Sequence, residues 1–123
     1  MGPIGAPTYN FGIPSGLEAW VDQIVRIRRT FDFTPEDAGT QYKPRVHGKH
    51  ALVVTTRGDA GYGPSGPNAA LNHADTYLRD VLGFIGIHDV RVVAVENDEF
   101  GGDSFAKSYN AAEDTSRALA SDF

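Results

Sequence analysis

The sequence predicts an α/β domain built on a parallel β-sheet. Strand-like and helix-like patterns alternate along the chain in the order strand, helix, strand, helix, strand, helix. The two clearest strand segments, residues 50–56 (HALVVTT) and 90–95 (VRVVAV), are continuous apolar runs rich in β-branched residues. Such runs are typical of parallel strands that are covered on both faces. A chain of 123 residues suffices for one domain with a modest core.

The first part of the chain has the pattern of a strand end, a turn and a helix. Residues 4–6 are expected to be the tail of a strand, and a turn follows at 7–10. Apolar residues then recur at helical spacing over 13–25, and a proline early in this segment suits the first turn of a helix. Trp20 lies on the apolar face and is expected in the core. Residues 29–48 lack periodicity and are interpreted as a long connection.

The second part repeats this alternation around a glycine-rich loop. Residues 57–68 include four glycines and two prolines, which predicts irregular structure. A second amphipathic helix is expected over 71–85, before the strand at 90–95. After a glycine pair, Asp103 or Ser104 is expected to cap a last helix.

Composition excludes several classes of chemistry. The net charge of −5 argues against a nucleic-acid partner, because a surface of that sign repels phosphate. The absence of cysteine excludes disulfides and thiolate nucleophiles. His47 and His50 have a ligand-like spacing but lack a third ligand, so no metal site is expected. No apolar run reaches the roughly 20 residues that span a bilayer, so we expect a cytoplasmic protein without a membrane partner.

Two loops are candidates for ligand binding because they follow strands. In open parallel sheets, ligands bind beyond the carboxyl ends of the strands. Residues 6–12 place two aromatic side chains and an amide just before a helix. Residues 56–67 contain glycines that let backbone N–H groups approach a ligand closely. Taken alone, each loop is more often an ordinary structural connection than a ligand site.

Three segments resemble the FMN-dependent NADH-azoreductase and NAD(P)H:quinone oxidoreductase family. Residues 5–14 (GAPTYNFGIP) resemble its flavin-binding third strand and the start of the following helix. Residues 48–58 (GKHALVVTTRG) resemble its next strand and its Ser/Thr-Arg-Gly-Gly flavin loop. Residues 77–79 (YLR) and 82–87 (LGFIGI) complete the similarity. The resemblance implies a flavodoxin-like fold, a three-layer open parallel sheet of strand order 2-1-3-4-5.

The resemblance also implies a function and a set of site residues. It predicts one FMN per subunit, NADH or NADPH as electron donor, a quinone or azo compound as acceptor, and a homodimer that completes the flavin site. The flavin carries the electrons, so no side chain is assigned as catalytic. Tyr62 is assigned to the substrate side. The residues assigned to the cofactor are Pro7, Thr8, Tyr9, Asn10 and Phe11 at the ring edge, with Thr56, Arg57, Gly58 and Asp59 at its pyrimidine side.

The chain departs from the family pattern in its loop and in its extent. Asp59 stands where the family usually has a second glycine, and Ala60 and Gly61 lengthen the loop. The first two strand–helix units, with the serine-rich phosphate loop, have no counterpart, so residues 1–123 are interpreted as a partial flavodoxin-like FMN-binding domain. We therefore expect a bare edge on the first strand. The acidic residues of 96–103 fit no calcium-loop pattern and are expected to be solvated.

Two other functions are compatible with these patterns. The missing phosphate loop is consistent with a catalytically inactive, truncated flavodoxin-like subunit that acts in assembly with another chain. A flavodoxin-type electron carrier is a third possibility. It would lack the nicotinamide and substrate site that the resemblance places at the two loops.

Overall fold

The computed structural model describes residues 2–37 and 41–122. Over these residues, short 3-10 turns lie at Pro35–Asp37 and Ala69–Leu71. The strands and α-helices, in chain order, are β1 (Ile4–Pro7), α1 (Ser15–Ile24), β2 (Phe31–Asp32), β3 (Lys43–Pro44), β4 (His50–Thr56), α2 (Asp75–Ile85), β5 (Asp89–Val95) and α3 (Gly102–Ala120).

A three-stranded parallel sheet in the order β1-β4-β5 confirms the predicted architecture. Pro7 pairs with Thr56, and Thr56 pairs with Val95, so the three strands end side by side. The loops that follow them therefore leave the sheet at a single edge. This order matches the last three strands of the sheet that the resemblance implies.

Helices cover both faces of the sheet because successive strand residues point in opposite directions. One face of β4 and β5 packs against α1 and α2, and the other packs against α3. The first cluster contains Ala51, Val53, Leu78, Leu82, Ile85, Ile87 and Val90, and the second contains Val93, Val95 and Ala112.

The edge of the sheet at β1 is bare, as expected. Among the described strands, β1 pairs with β4 alone. The helix that follows it, α1, is correspondingly shallow, since Val21 is its one buried residue. The prediction that Trp20 belongs to the core is wrong, because 36% of this residue is exposed. At an edge strand, the sheet surface is too narrow to cover the whole apolar face of the helix.

The connection over 29–48 contains a short antiparallel hairpin that the sequence did not predict. Residues Phe31 and Asp32 of β2 pair with Pro44 and Lys43 of β3, while residues 38–40 lie outside the described part of the chain. The ring of Phe31 packs edge-on against Phe84 of α2, with 4.8 Å between centroids. Strands of two residues are too short to show a period of two, so tertiary contact decides their conformation.

The helix boundaries differ from the sequence predictions at two amino termini. Helix α2 begins at Asp75, and Leu71 belongs to a 3-10 turn instead. Helix α3 begins at Gly102, and neither Asp103 nor Ser104 provides a side-chain cap. The other end of α2 is as expected, with Gly86 in the left-handed region at a φ of 116°.

No helix in residues 2–37 or 41–122 has the length and apolarity that crossing a membrane requires.

We predict that Leu82→Ala lowers the free energy of unfolding by about 3 kcal/mol, because it opens a cavity in the core. Leu82 is fully buried between α2 and the sheet. The matched control is Leu71→Ala, at a site that is 43% exposed. Its cost is expected to stay within about 0.5 kcal/mol. Urea denaturation followed by circular dichroism measures both, and equal losses would contradict the assigned core.

Candidate functional site

The turn after β1 holds two non-glycine residues in a strained backbone conformation. The N–H of Tyr9 donates to the carbonyl of Gly12 and the reverse bond also forms, both at 3.0 Å. Asn10 and Phe11, between them, have φ values of 48° and 70°. Positive φ at both central residues is what a type I′ turn requires, but it is uncommon for a bulky side chain. Strain of this kind is concentrated at functional sites.

This turn is anchored to the rest of the molecule by three hydrogen bonds. The N–H of Thr8 donates to the carbonyl of Thr56 at 2.9 Å. The hydroxyls of Thr8 and Thr55 are 3.1 Å apart. On the other side, the N–H of His73 donates to the carbonyl of Phe11 at 3.0 Å. The surrounding structure therefore holds the strained turn in place.

The loops after β4 and β5 are joined through their backbones. The N–H groups of residues 97, 98 and 99 donate to the carbonyls of residues 59, 57 and 58, at 3.1, 3.1 and 3.0 Å. The side chain of Glu99 also lies over Gly58, where an added Cβ would meet its Oε2 at 3.0 Å. The side chains of Asp98 and Glu99 are exposed, as predicted for the acidic segment. Their backbones form part of the site's framework.

Both turns carry backbone N–H groups that remain unpaired within the described structure. The N–H groups of Asn10 and Phe11 in the first turn, and of Gly58 and Asp59 in the second, donate to no other described residue. The carbonyls of Gly58 and Asp59 are already used by the loop after β5. Amide donors on two neighbouring turns are thus left available to a ligand with acceptor atoms on one edge.

Both turns line the same two clefts. The clefts have volumes of about 390 and 270 Å³. The larger lies along Pro7, Thr8, Tyr9, Thr56, Arg57, Gly58, Asp98 and Glu99. The smaller lies along Thr8, Asn10, Phe11, Arg57, Gly58, Asp59, Tyr62 and Glu99.

The two clefts between them include each of the nine residues assigned to the cofactor, and Tyr62 as well. The structure therefore brings the predicted residues together at one place. Sequence reasoning missed Asp98 and Glu99, although their position just after a strand's carboxyl end was a usable signal.

Tyr62 forms a buried wall of the smaller cleft. It is 8% exposed, and its ring lies 6.5 Å from that of Phe11 at an angle of 48°. A hydrogen bond to Asp59 raises the pKa of the Tyr62 phenol above its ordinary value, and burial adds to this effect. The hydroxyl therefore remains protonated at neutral pH. Its assignment to the substrate side stays a prediction.

The guanidinium of Arg57 lies below the loop rather than in open solvent. Its side chain is 4% exposed and forms an ion pair with Asp75 at the start of α2. The Arg57 Cζ atom is 5.7 Å from the centroid of the Tyr62 ring. Sequence reasoning also missed Asn72, whose side chain donates to the carboxylate of Asp75 and accepts from the Asp75 N–H.

We predict that Asp59→Asn lowers the pKa of Tyr62 towards the ordinary value for tyrosine. The substitution removes the negative charge of the carboxylate that accepts the phenol's hydrogen bond. The matched control is Asp98→Asn, which removes one negative charge from the neighbouring cleft and is expected to leave this pKa unchanged. An NMR titration of the Tyr62 ring carbon, assigned with Tyr62→Phe, measures both variants. An unchanged pKa in Asp59→Asn would contradict the contact.

Comparison with curated proteins finds close relatives among quinone oxidoreductases. The chain is 56% identical over 117 residues to FMN-dependent NAD(P)H:quinone oxidoreductase 1 of Pseudomonas aeruginosa, covering 95% of this chain and 55% of the relative. It is 57% identical over 110 residues to FMN-dependent NADH:quinone oxidoreductase 1 of Pseudomonas fluorescens, with coverages of 89% and 52%. The chain thus spans about half the length of these relatives.

Solved structures share the fold. An azoreductase from Bacillus anthracis str. Sterne superimposes with a TM-score of 0.82 at 24% identity, over 98% of this chain and 56% of its own. An FMN-dependent NADH-azoreductase from Bacillus anthracis str. Ames Ancestor, solved in complex with FMN, gives a TM-score of 0.74 at 24% identity, over 96% and 56%.

A family described as having the flavodoxin-like fold matches residues 4–119. This match covers almost the whole chain and agrees with the parallel sheet between two layers of helices. The fold and the family relationship expected from the resemblance are therefore confirmed, and the protein belongs to this flavodoxin-like family.

Proposed function

We propose that this chain forms the ring-binding part of an FMN-dependent oxidoreductase that passes electrons from NADH or NADPH to a quinone or azo compound. The observation that carries the proposal is the meeting of two turns at shared clefts, each turn with unpaired backbone N–H groups. The names of the relatives support an oxidoreductase rather than an inactive assembly subunit.

The arrangement fits the edge of a flat ring with several acceptor atoms. The N–H groups of Asn10, Phe11, Gly58 and Asp59 would donate to those acceptors, and backbone donors need no reorganisation when charge develops on the ring. The bound flavin would supply the redox chemistry, while the protein supplies orientation and hydrogen bonds. The ring of Phe11, which is 46% exposed, offers an apolar surface beside these donors.

The charge around the clefts is largely negative. The carboxylates of Asp59, Asp98 and Glu99 line them, whereas the guanidinium of Arg57 is already paired with Asp75. This surface would disfavour additional negative charge on a bound ring, so the backbone donors would carry the stabilisation of a reduced flavin. The acidic clefts also imply that the FMN phosphate is held elsewhere.

The bare edge of β1 is consistent with a site completed by further chain. In open sheets of order 2-1-3-4-5, the cofactor lies where the strand order reverses, beside the strand that corresponds to β1. That strand has an unpaired edge among the described residues. We therefore propose that this chain binds the ring of FMN. Full affinity for FMN would require the other strands of a 2-1-3-4-5 sheet. A homodimer, a cytoplasmic location, and the absence of nucleic-acid and membrane partners stay predictions.

We predict that Phe11→Ala weakens FMN binding about tenfold, because an aromatic contact with the ring is lost. Quenching of FMN fluorescence on titration with the protein measures the affinity. The matched control is Tyr109→Ala, at a site on α3 that is 52% exposed and belongs to neither cleft.

The control should bind FMN as the unmodified chain does. Absence of quenching by the unmodified chain at high micromolar FMN would count against the ring site. Quinone-dependent oxidation of NADH and NADPH tests the reaction itself. FMN binding without any such oxidation would favour the assembly subunit.

A further inference from the structure

The Arg57 side chain points to a role for helix α2 in shaping the proposed flavin edge. Arg57 is the first residue after β4, yet its guanidinium is 4% exposed and meets the carboxylate of Asp75. An arginine keeps its positive charge even when it is buried. A buried charge needs a partner, because removing the partner leaves an uncompensated ion away from water. Asp75 therefore determines where this side chain can lie.

Asp75 is itself held by Asn72. The Oδ2 atom of Asp75 accepts hydrogen bonds from Arg57 and from the Asn72 side chain, the latter at 2.8 Å. In return, the N–H of Asp75 donates to the Oδ1 of Asn72 at 3.0 Å. A carboxylate at this first turn of α2 also interacts favourably with the helix dipole. The carboxylate is thus a fixed point to which the loop can be attached.

The same cluster contacts the residues that face the clefts. The N–H of Arg57 donates to the Val95 carbonyl at 2.8 Å, and its own carbonyl accepts from Asp98 at 3.1 Å. The residues that follow are Gly58 and Asp59, which carry the unpaired N–H groups. The side chain of Asn72 also donates to the carbonyl of Tyr62 at 3.0 Å. Both cleft-lining segments, 57–59 and Tyr62, are therefore attached to the start of α2.

We propose that Asp75 is a positioning residue: through Arg57 and Asn72, it fixes the direction of the Gly58 and Asp59 N–H groups and the place of Tyr62. The guanidinium of Arg57 then links the loop to α2 and does not bind the ring. The inference rests on the proposed function, because the edge that Asp75 positions is the one assigned to FMN.

The test compares Asp75→Asn with Asp80→Asn, which removes an exposed carboxylate from the same helix. Without FMN, Asp75→Asn should speed hydrogen exchange of the Asn97, Asp98 and Glu99 amides about tenfold more than that of core amides in α2. FMN affinity should fall about tenfold, and the absorption spectrum of bound FMN should change. Asp80→Asn should match the unmodified chain in all three measurements.

A double variant separates positioning from stability. Arg57→Met with Asp75→Leu removes both charges and keeps apolar bulk, which often preserves stability when a buried ion pair is replaced. The proposal expects its melting temperature to match the unmodified chain, while the loop amides still exchange fast and FMN affinity stays low. Full recovery of FMN affinity and of the bound-flavin spectrum would assign Asp75 a purely structural role and overturn the proposal.

The hydrogen-exchange and FMN-affinity measurements test the proposal independently. Unchanged exchange of the loop amides in Asp75→Asn would overturn the positioning role, whatever the flavin result. Faster exchange with unchanged FMN affinity would also overturn it, because the loop's position would then not matter for the ring. If the unmodified chain binds no FMN, the proposed function fails, and the exchange measurement still tests the link between Asp75 and the loop. If Asp75→Asn does not fold, the double variant provides both readouts.

Discussion

The parallel register of three strands is the constraint on which the site depends. Because β1, β4 and β5 end side by side, the turns that follow them emerge at the same edge. The backbone of residues 97–99 can then pair with the carbonyls of residues 57–59, and Thr8 can bond to the end of β4. Those bonds leave N–H groups of two turns unpaired within the described structure. A surface of peptide donors thus results from register rather than from long side chains.

Two unfavourable features of the molecule lie at this edge. Asn10 and Phe11 have positive φ, and Arg57 is a charge removed from water. Each costs free energy on its own, and each persists because the surrounding structure compensates for it. The reciprocal hydrogen bonds between Tyr9 and Gly12 hold the strained turn. The carboxylate of Asp75 compensates the charge of Arg57. Away from this edge, the two clusters that pack the sheet consist of apolar side chains.

Sequence reasoning identified the two loops better than it described the contacts between them. The two loops were identifiable because they follow apolar strands and carry glycine, aromatic and amide residues. The backbone pairing of residues 97–99 was missed, since an acidic run gives no sign of the bonds that join it to another loop. The hairpin of β2 and β3 was missed for a similar reason, because its two-residue strands depend on the contact with Phe84. The exposure of Trp20 depends on the width of the sheet beneath α1.

The sequence by itself determined the alternation of strands and helices, the two buried strands and the edge at which the two candidate loops gather. These follow from periodicity and composition, which act over a few neighbouring residues. Only the tertiary structure decided that Arg57 turns towards α2 and pairs with Asp75, that Asn72 holds Asp75, and that the loop after β5 closes against the loop after β4. The physical reason is distance along the chain: Arg57 and Asp75 are 18 residues apart, and no local pattern specifies which buried charge finds which partner.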